Sequence, residues 1–115
     1  MKYKVIIQLT GNEEALIKSV YSQINNLLKA LSENVDIELV CHGNSLPFVI
    51  NEDERWSNII SQLLSKSVRI VACENMLAAQ FKNKTDLFPG IETVPAAIAE
   101  LVVKQQEGWS YIKAG

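Results

Sequence analysis

The chain begins with a short, nearly continuous apolar run, Val5-Ile6-Ile7-Gln8-Leu9, rich in β-branched residues and stopped by Thr10-Gly11-Asn12. Such a run predicts a strand buried on both faces of a parallel sheet. From Glu13 to Leu31 the apolar positions recur at threes and fours: Leu16, Val20, Ile24, Leu27 and Leu31, widened by Ile17, Tyr21 and Leu28. That spacing predicts an amphipathic helix about five turns long. Asn12 or Gly11 is its expected cap, and Glu13-Glu14 fall in the first turn, where the dipole favours acids.

Val35 to Cys41 alternates apolar and acidic residues before ending on two apolar ones, which predicts a second strand with one face partly wet. His42-Gly43-Asn44-Ser45 reads as the turn after it, and Leu46 to Ile50 as one helical turn. Asn51 and Glu54 stand at capping-box spacing, and Trp56, Ile59, Ile60, Leu63 and Leu64 form the next helical stripe. Val68 to Cys73 is the third strand. A shorter helix follows over residues 76–81, then a polar loop over 82–86. Pro89-Gly90 marks a turn before a fourth strand, Ile91 to Val94. Pro95 suits the first position of a last helix and Gly108 the residue just past its end, leaving Trp109 to Ile112 as a fifth strand.

Strands alternating with helices predict right-handed βαβ units, and so a three-layer α/β/α fold around an open, five-stranded parallel sheet. With 115 residues there is room for one domain, spanning 1–115. The 48% apolar content argues against disorder. Eleven Lys and Arg against thirteen Asp and Glu leave a net charge of −2, too little positive field to hold nucleic acid. No apolar run reaches the roughly 18 residues a membrane span needs, and the opening run is too short for a signal-peptide core. A cytoplasmic address is therefore expected, where two cysteines are expected to stay free thiols.

In open α/β sheets ligands bind outside the carboxyl ends of the strands. Four segments are predicted to meet there: Thr10-Gly11-Asn12, Cys41-His42-Gly43-Asn44, Cys73-Glu74-Asn75 and Thr93-Val94-Pro95. The first three strands end at Leu9, Cys41 and Cys73, 32 residues apart in turn, so both cysteines close a strand. Cys73 stands one or two residues before a helix whose unpaired amides favour a thiolate, with Asn75 as the expected cap and Glu74 as an opposing charge. A cysteine that ends a strand is equally a small buried apolar residue, and the same alternative holds for Cys41. His42 has the chemistry of a proton shuttle, but consecutive strand residues point to opposite sides, which separates it from Cys41. Two Cys and one His without a Cys-x-x-Cys pair are too few to predict a metal site. The five glycines form neither dinucleotide nor P-loop spacing, and no cofactor is predicted.

Three segments resemble a known family: Val-Arg-Ile-Val-Ala-Cys-Glu-Asn-Met-Leu over 68–77, Leu-Phe-Pro-Gly-Ile-Glu-Thr-Val-Pro-Ala-Ala-Ile-Ala-Glu-Leu over 87–101, and Gln-Gln-Glu-Gly-Trp-Ser-Tyr-Ile over 105–112. They are similar to the small single-domain branch of the DsrE/DsrF-like proteins. The resemblance implies sulfur relay, in which a cysteine at the place of Cys73 accepts sulfane sulfur as a persulfide and passes it to an acceptor protein. It also implies small homo-oligomers, trimers or hexamers, and strand order 4-3-2-1-5 in preference to the flavodoxin-like 2-1-3-4-5. In that order Cys41 and Cys73 close adjacent strands, so a dithiol bridge is geometrically possible. All but one helix would lie on one face, leaving a half-covered apolar sheet face that favours self-association. Two other uses of the same fold remain open: non-covalent binding of a small molecule in the crevice, and an oligomeric scaffold.

Overall fold

Residues 2–52 and 54–114 are described by a computed structural model. Their strands are β1 (Tyr3–Leu9), β2 (Val35–Cys41), β3 (Arg69–Cys73), β4 (Glu92–Val94) and β5 (Ser110–Ala114). All pairings are parallel and the order is β4-β3-β2-β1-β5. The helices are α1 (Glu14–Ala30), α2 (Leu46–Val49), α3 (Ser57–Ser65), α4 (Glu74–Ala79) and α5 (Ala97–Gln106). None of them is long and apolar enough to cross a membrane, among the described residues.

The order sets the layers. The path from β1 through β4 moves steadily one way across the sheet, so right-handed crossovers put α1 to α4 on one face. The return from β4 to β5, beyond β1, reverses direction and puts α5 on the other. Strand parity then sorts the side chains. Val5, Ile7, Leu9, Ile37, Leu39, Cys41, Ile70 and Ala72 share the α1–α4 face and are all buried. Ile17, Val20, Ile24 and Leu28 of α1, with Ile60 and Leu63 of α3, complete this apolar core.

The α5 face differs from the half-covered apolar surface expected of it. Ile6, Val40, Val71 and Val94 are apolar there, but Gln8, Glu38, Arg69 and Glu92 alternate with them. Arg69 Nη1 lies 2.7 Å from Glu38 Oε1 and 3.4 Å from Glu100 Oε2, and Arg69 Nε lies 3.2 Å from Glu92 Oε2. The Arg69–Glu100 pair ties α5 to the sheet, and the other two join β3 to β2 and β4. Exposed apolar side chains include Ile98, Val102 and Val103 of α5, Tyr111 and Ile112 of β5, and Tyr3 and Phe81.

Several local expectations change. The chain stays extended through Glu13, and no side chain caps α1 among the described residues, so neither Asn12 nor Gly11 is its cap. Thr10 is held back instead, its carbonyl accepting the Asn44 N–H at 2.8 Å. Helix α4 starts at Glu74 with Cys73 in the cap position, which places exposed Asn75 inside the first turn rather than at the cap. Helix α5 starts at Ala97, two residues after Pro95, because Ala96 is still extended. The expected Asn51–Glu54 box spans Asp53, outside the described residues. A capping box does form at Asn83 and Asp86, where each side chain accepts a backbone N–H from the other's turn.

Candidate functional site

Register decides which strand-end residues can meet. Cys41 pairs with Ala72, so Cys41 shares the face of Ala72 and Cys73, one residue on, points to the opposite face. The two cysteines therefore close adjacent strands on opposite sides of the sheet, and both are free thiols. A bridge between them, possible from strand order alone, is ruled out by the one-residue offset that turns the sulfurs apart.

Cys41 lies under the α1–α4 layer with no exposed surface. Burial pushes its thiol up to about 12, with the Ser45 hydroxyl opposing. Ser45, also fully buried, donates to the His42 carbonyl at 2.8 Å. A thiol held protonated in this way acts as a core residue.

Cys73 is 6% exposed on the α5 face, and its Sγ accepts the backbone N–H of Ala97 at 3.4 Å. Ala97 opens the ten-residue α5, so this N–H is one of those with no intrahelical partner. Ala96 at the cap has no polar side chain, and the cysteine sulfur supplies the missing acceptor from a different strand. Glu74 does not crowd this sulfur: its Oε2 accepts from Thr93 Oγ1 at 2.7 Å. Thr93 pairs with Ala72 and so lies on the other face.

His42 is drawn to the same side as Cys73. Its N–H bonds the Leu9 carbonyl at 3.1 Å, extending the β1–β2 ladder past Cys41. The β2–β3 register ends at the Cys41–Ala72 pair, and continuing it by one residue would bring His42 level with Cys73. The imidazole Nε2 is 2.8 Å from Gln8 Nε2, and Tyr111 donates its hydroxyl hydrogen to Gln8 Oε1. Burial holds the His42 ring below the ordinary histidine range. His42, Gln8 and Tyr111 thus form a hydrogen-bonded row across the carboxyl ends of β2, β1 and β5, next to the sulfur on β3.

Of the residues singled out in the sequence, Cys73 and His42 lie on this same face, with Pro95 leading the chain to the α5 amide. Thr10, Gly43 and Asn44 form the adjacent turn, where Gly43 has φ +62°. Gly11 and Asn12 continue that turn. Cys41, Glu74 and Asn75 are not part of the cluster. Gln8 carries no motif, although it is the single polar residue in the run Val5 to Leu9, and Ala97 and Tyr111 lie in segments that carry the family resemblance without having been singled out as site residues. A shallow cavity of about 270 Å³ opens at the outer edge near α4, lined by Glu74, Leu77, Lys82, Lys84 and Thr93 among others. Lys82 there is already paired with Glu52 at 2.5 Å. No group of three or more metal-ligating side chains is found among the described residues.

No family model and no curated protein matches the chain. Solved structures do. The protein of unknown function MTH1491 from Methanobacterium thermoautotrophicum is 29% identical, with a TM-score of 0.92 over 97% of this chain and 99% of that one. The conserved protein of unknown function BT1422 from Bacteroides thetaiotaomicron is 18% identical, with a TM-score of 0.77 over 96% and 93%. The ychN protein from E. coli is 13% identical, with a TM-score of 0.78 over 98% and 99%. The last two likenesses concern the fold alone.

Proposed function

We propose that the protein is a sulfur carrier in which Cys73 accepts sulfane sulfur and hands it on, as its resemblance to DsrE/DsrF-like proteins implies. The observation that carries this reading is the Cys73 sulfur resting on the first, otherwise unpartnered amide of α5, where a sulfur anion is favoured. In the loading step the Cys73 thiolate attacks the terminal sulfur of a donor persulfide. The new Sγ–S bond forms as the donor's S–S bond breaks, and the donor leaves as a thiolate. The reverse exchange with an acceptor thiolate unloads it. No external oxidant or reductant is consumed, and the protein needs no turnover of its own.

Incubation with glutathione persulfide and intact-mass measurement tests this. The expected result is a gain of one sulfur atom on the wild type and none on Cys73→Ser; a wild type without the adduct, or a variant that keeps it, overturns the reading. The shielding of Cys73, at 6% exposure, favours a second reading in which the crevice binds a small molecule without covalent chemistry. Self-association belongs to the same proposal, supported by exposed Ile98, Val102, Val103 and Ile112. Sedimentation at micromolar concentration is expected to show an oligomer, and a clean monomer would contradict it.

A further inference from the structure

We propose that Tyr111 and Gln8 hold His42 as its Nδ1–H tautomer, and that this N–H turns to the sulfur of Cys73 as a second hydrogen-bond donor when negative charge settles there. The inference rests on the carrier reading in one respect, that Cys73 is the working thiol. It starts from the polarity of the row itself. Tyr111 donates to Gln8 Oε1, so the acceptor end of the amide faces β5. The amide nitrogen then faces His42 Nε2, at 2.8 Å. An amide nitrogen only donates, so Nε2 receives that hydrogen on its lone pair, and the one ring proton of a neutral imidazole stands on Nδ1.

The strand order gives this choice its consequence. His42 ends β2, between β1 with Gln8 and β3 with Cys73, and all three residues share the α5 face. With Nε2 committed to the β1 side, Nδ1–H is the donor left for the β3 side. The Ala97 amide already supplies one N–H to Sγ, and His42 would supply another as negative charge settles on sulfur. Gln8 and Tyr111 are positioning residues: they act through His42.

His42 is the chain's one histidine, so nitrogen-15 NMR of the full-length protein reports its ring without ambiguity. At neutral pH the wild type is expected to carry its proton on Nδ1. Tyr111→Phe, which removes only a hydroxyl, is expected to free the Gln8 amide and give a mixture of tautomers. Gln8→Glu offers acceptors only and is expected to place a proton on Nε2. Iodoacetamide labelling of Cys73 at fixed pH is expected to slow about tenfold in His42→Ala, as for loss of one hydrogen bond to a charged group. An Nε2–H wild type, a tautomer unmoved in both variants, or a His42→Ala protein that labels at the wild-type rate overturns the proposal. The stated tautomers and rates without persulfide loading would establish the positioning role and remove the carrier reading.

Discussion

The two faces of this sheet are made by the same strands, yet one is a dry core and the other carries the polar and titratable side chains of the candidate site. Under α1 to α4 the strands present an unbroken apolar surface from Val5 to Ala72. Under α5 the alternate residues of those strands include Gln8, Glu38, Arg69 and Cys73 among apolar Ile6, Val40 and Val71. The polar groups there are tolerated because they pair with one another, as buried Glu38 does with Arg69. Cys41 and Cys73 show the difference most sharply: equal spacing along the chain makes them look equivalent, and one residue of register makes one a core thiol and the other a site.

Neighbours in β2 provide the strongest way to break this contrast. Leu39 is fully buried on the dry face, and Leu39→Ala is expected to cost about 2–5 kcal/mol of unfolding free energy in denaturant titrations. Glu38 points to the other face, where Arg69 keeps Glu92 and Glu100 as partners. Glu38→Gln is expected to cost about 1 kcal/mol at neutral pH, the scale of one hydrogen bond. Equal costs at the two positions would mean that the faces are not energetically distinct.

The cysteines provide the next contrast. Under native conditions iodoacetamide is expected to modify Cys73 at least about 100-fold faster than Cys41, whose labelling must wait for local or global opening. Peptide mapping against time separates the two. Mild oxidation with diamide is expected to leave no bridge between positions 41 and 73, and a species carrying that disulfide would refute the parity argument.

The fold was legible in the chain because its signals are long and redundant. The run Val5 to Leu9, the stripe from Leu16 to Leu31 and the Pro95–Gly108 bracket each point to one element, and all agree with the observed layers. The site was legible only as a location, the rim of the strands. Cys73 and His42 are 31 positions apart, and nothing local says that they share a face; that follows from register, which pairing alone sets. Gln8 and Tyr111 are more remote still, joined only because β5 returns beside β1. The caps at Asn12 and Asn75 were misplaced for a related reason: a cap depends on where the strand before it stops, and here Thr10 and Cys73 are held by contacts from other segments. Cys73 caps α5 across the sheet, which no local pattern encodes.

The smallest expected effect tests whether charge on the α5 face is as costly as its burial suggests. Burial, then the neighbouring Glu100 carboxyl, push Glu38 up to about 7, while Arg69 and Lys104 pull it down. In the unfolded chain the same group titrates near 4.5. The folded state thus binds the proton more tightly, so this contribution to stability is fully present below pH 4.5 and is lost as pH rises through about 7. His42 works in the opposite sense: burial lowers it, so its contribution is lost as pH falls below 6.5 and through its folded value. Comparing wild type with Glu38→Gln cancels the His42 part, which both share. The variant is expected to gain on the wild type between pH 5 and pH 8, as the buried carboxyl of the wild type loses its proton. A gap that stays constant with pH would mean that Arg69 and Lys104 fully compensate the buried carboxylate, and that the α5 face holds charge as easily as open surface does.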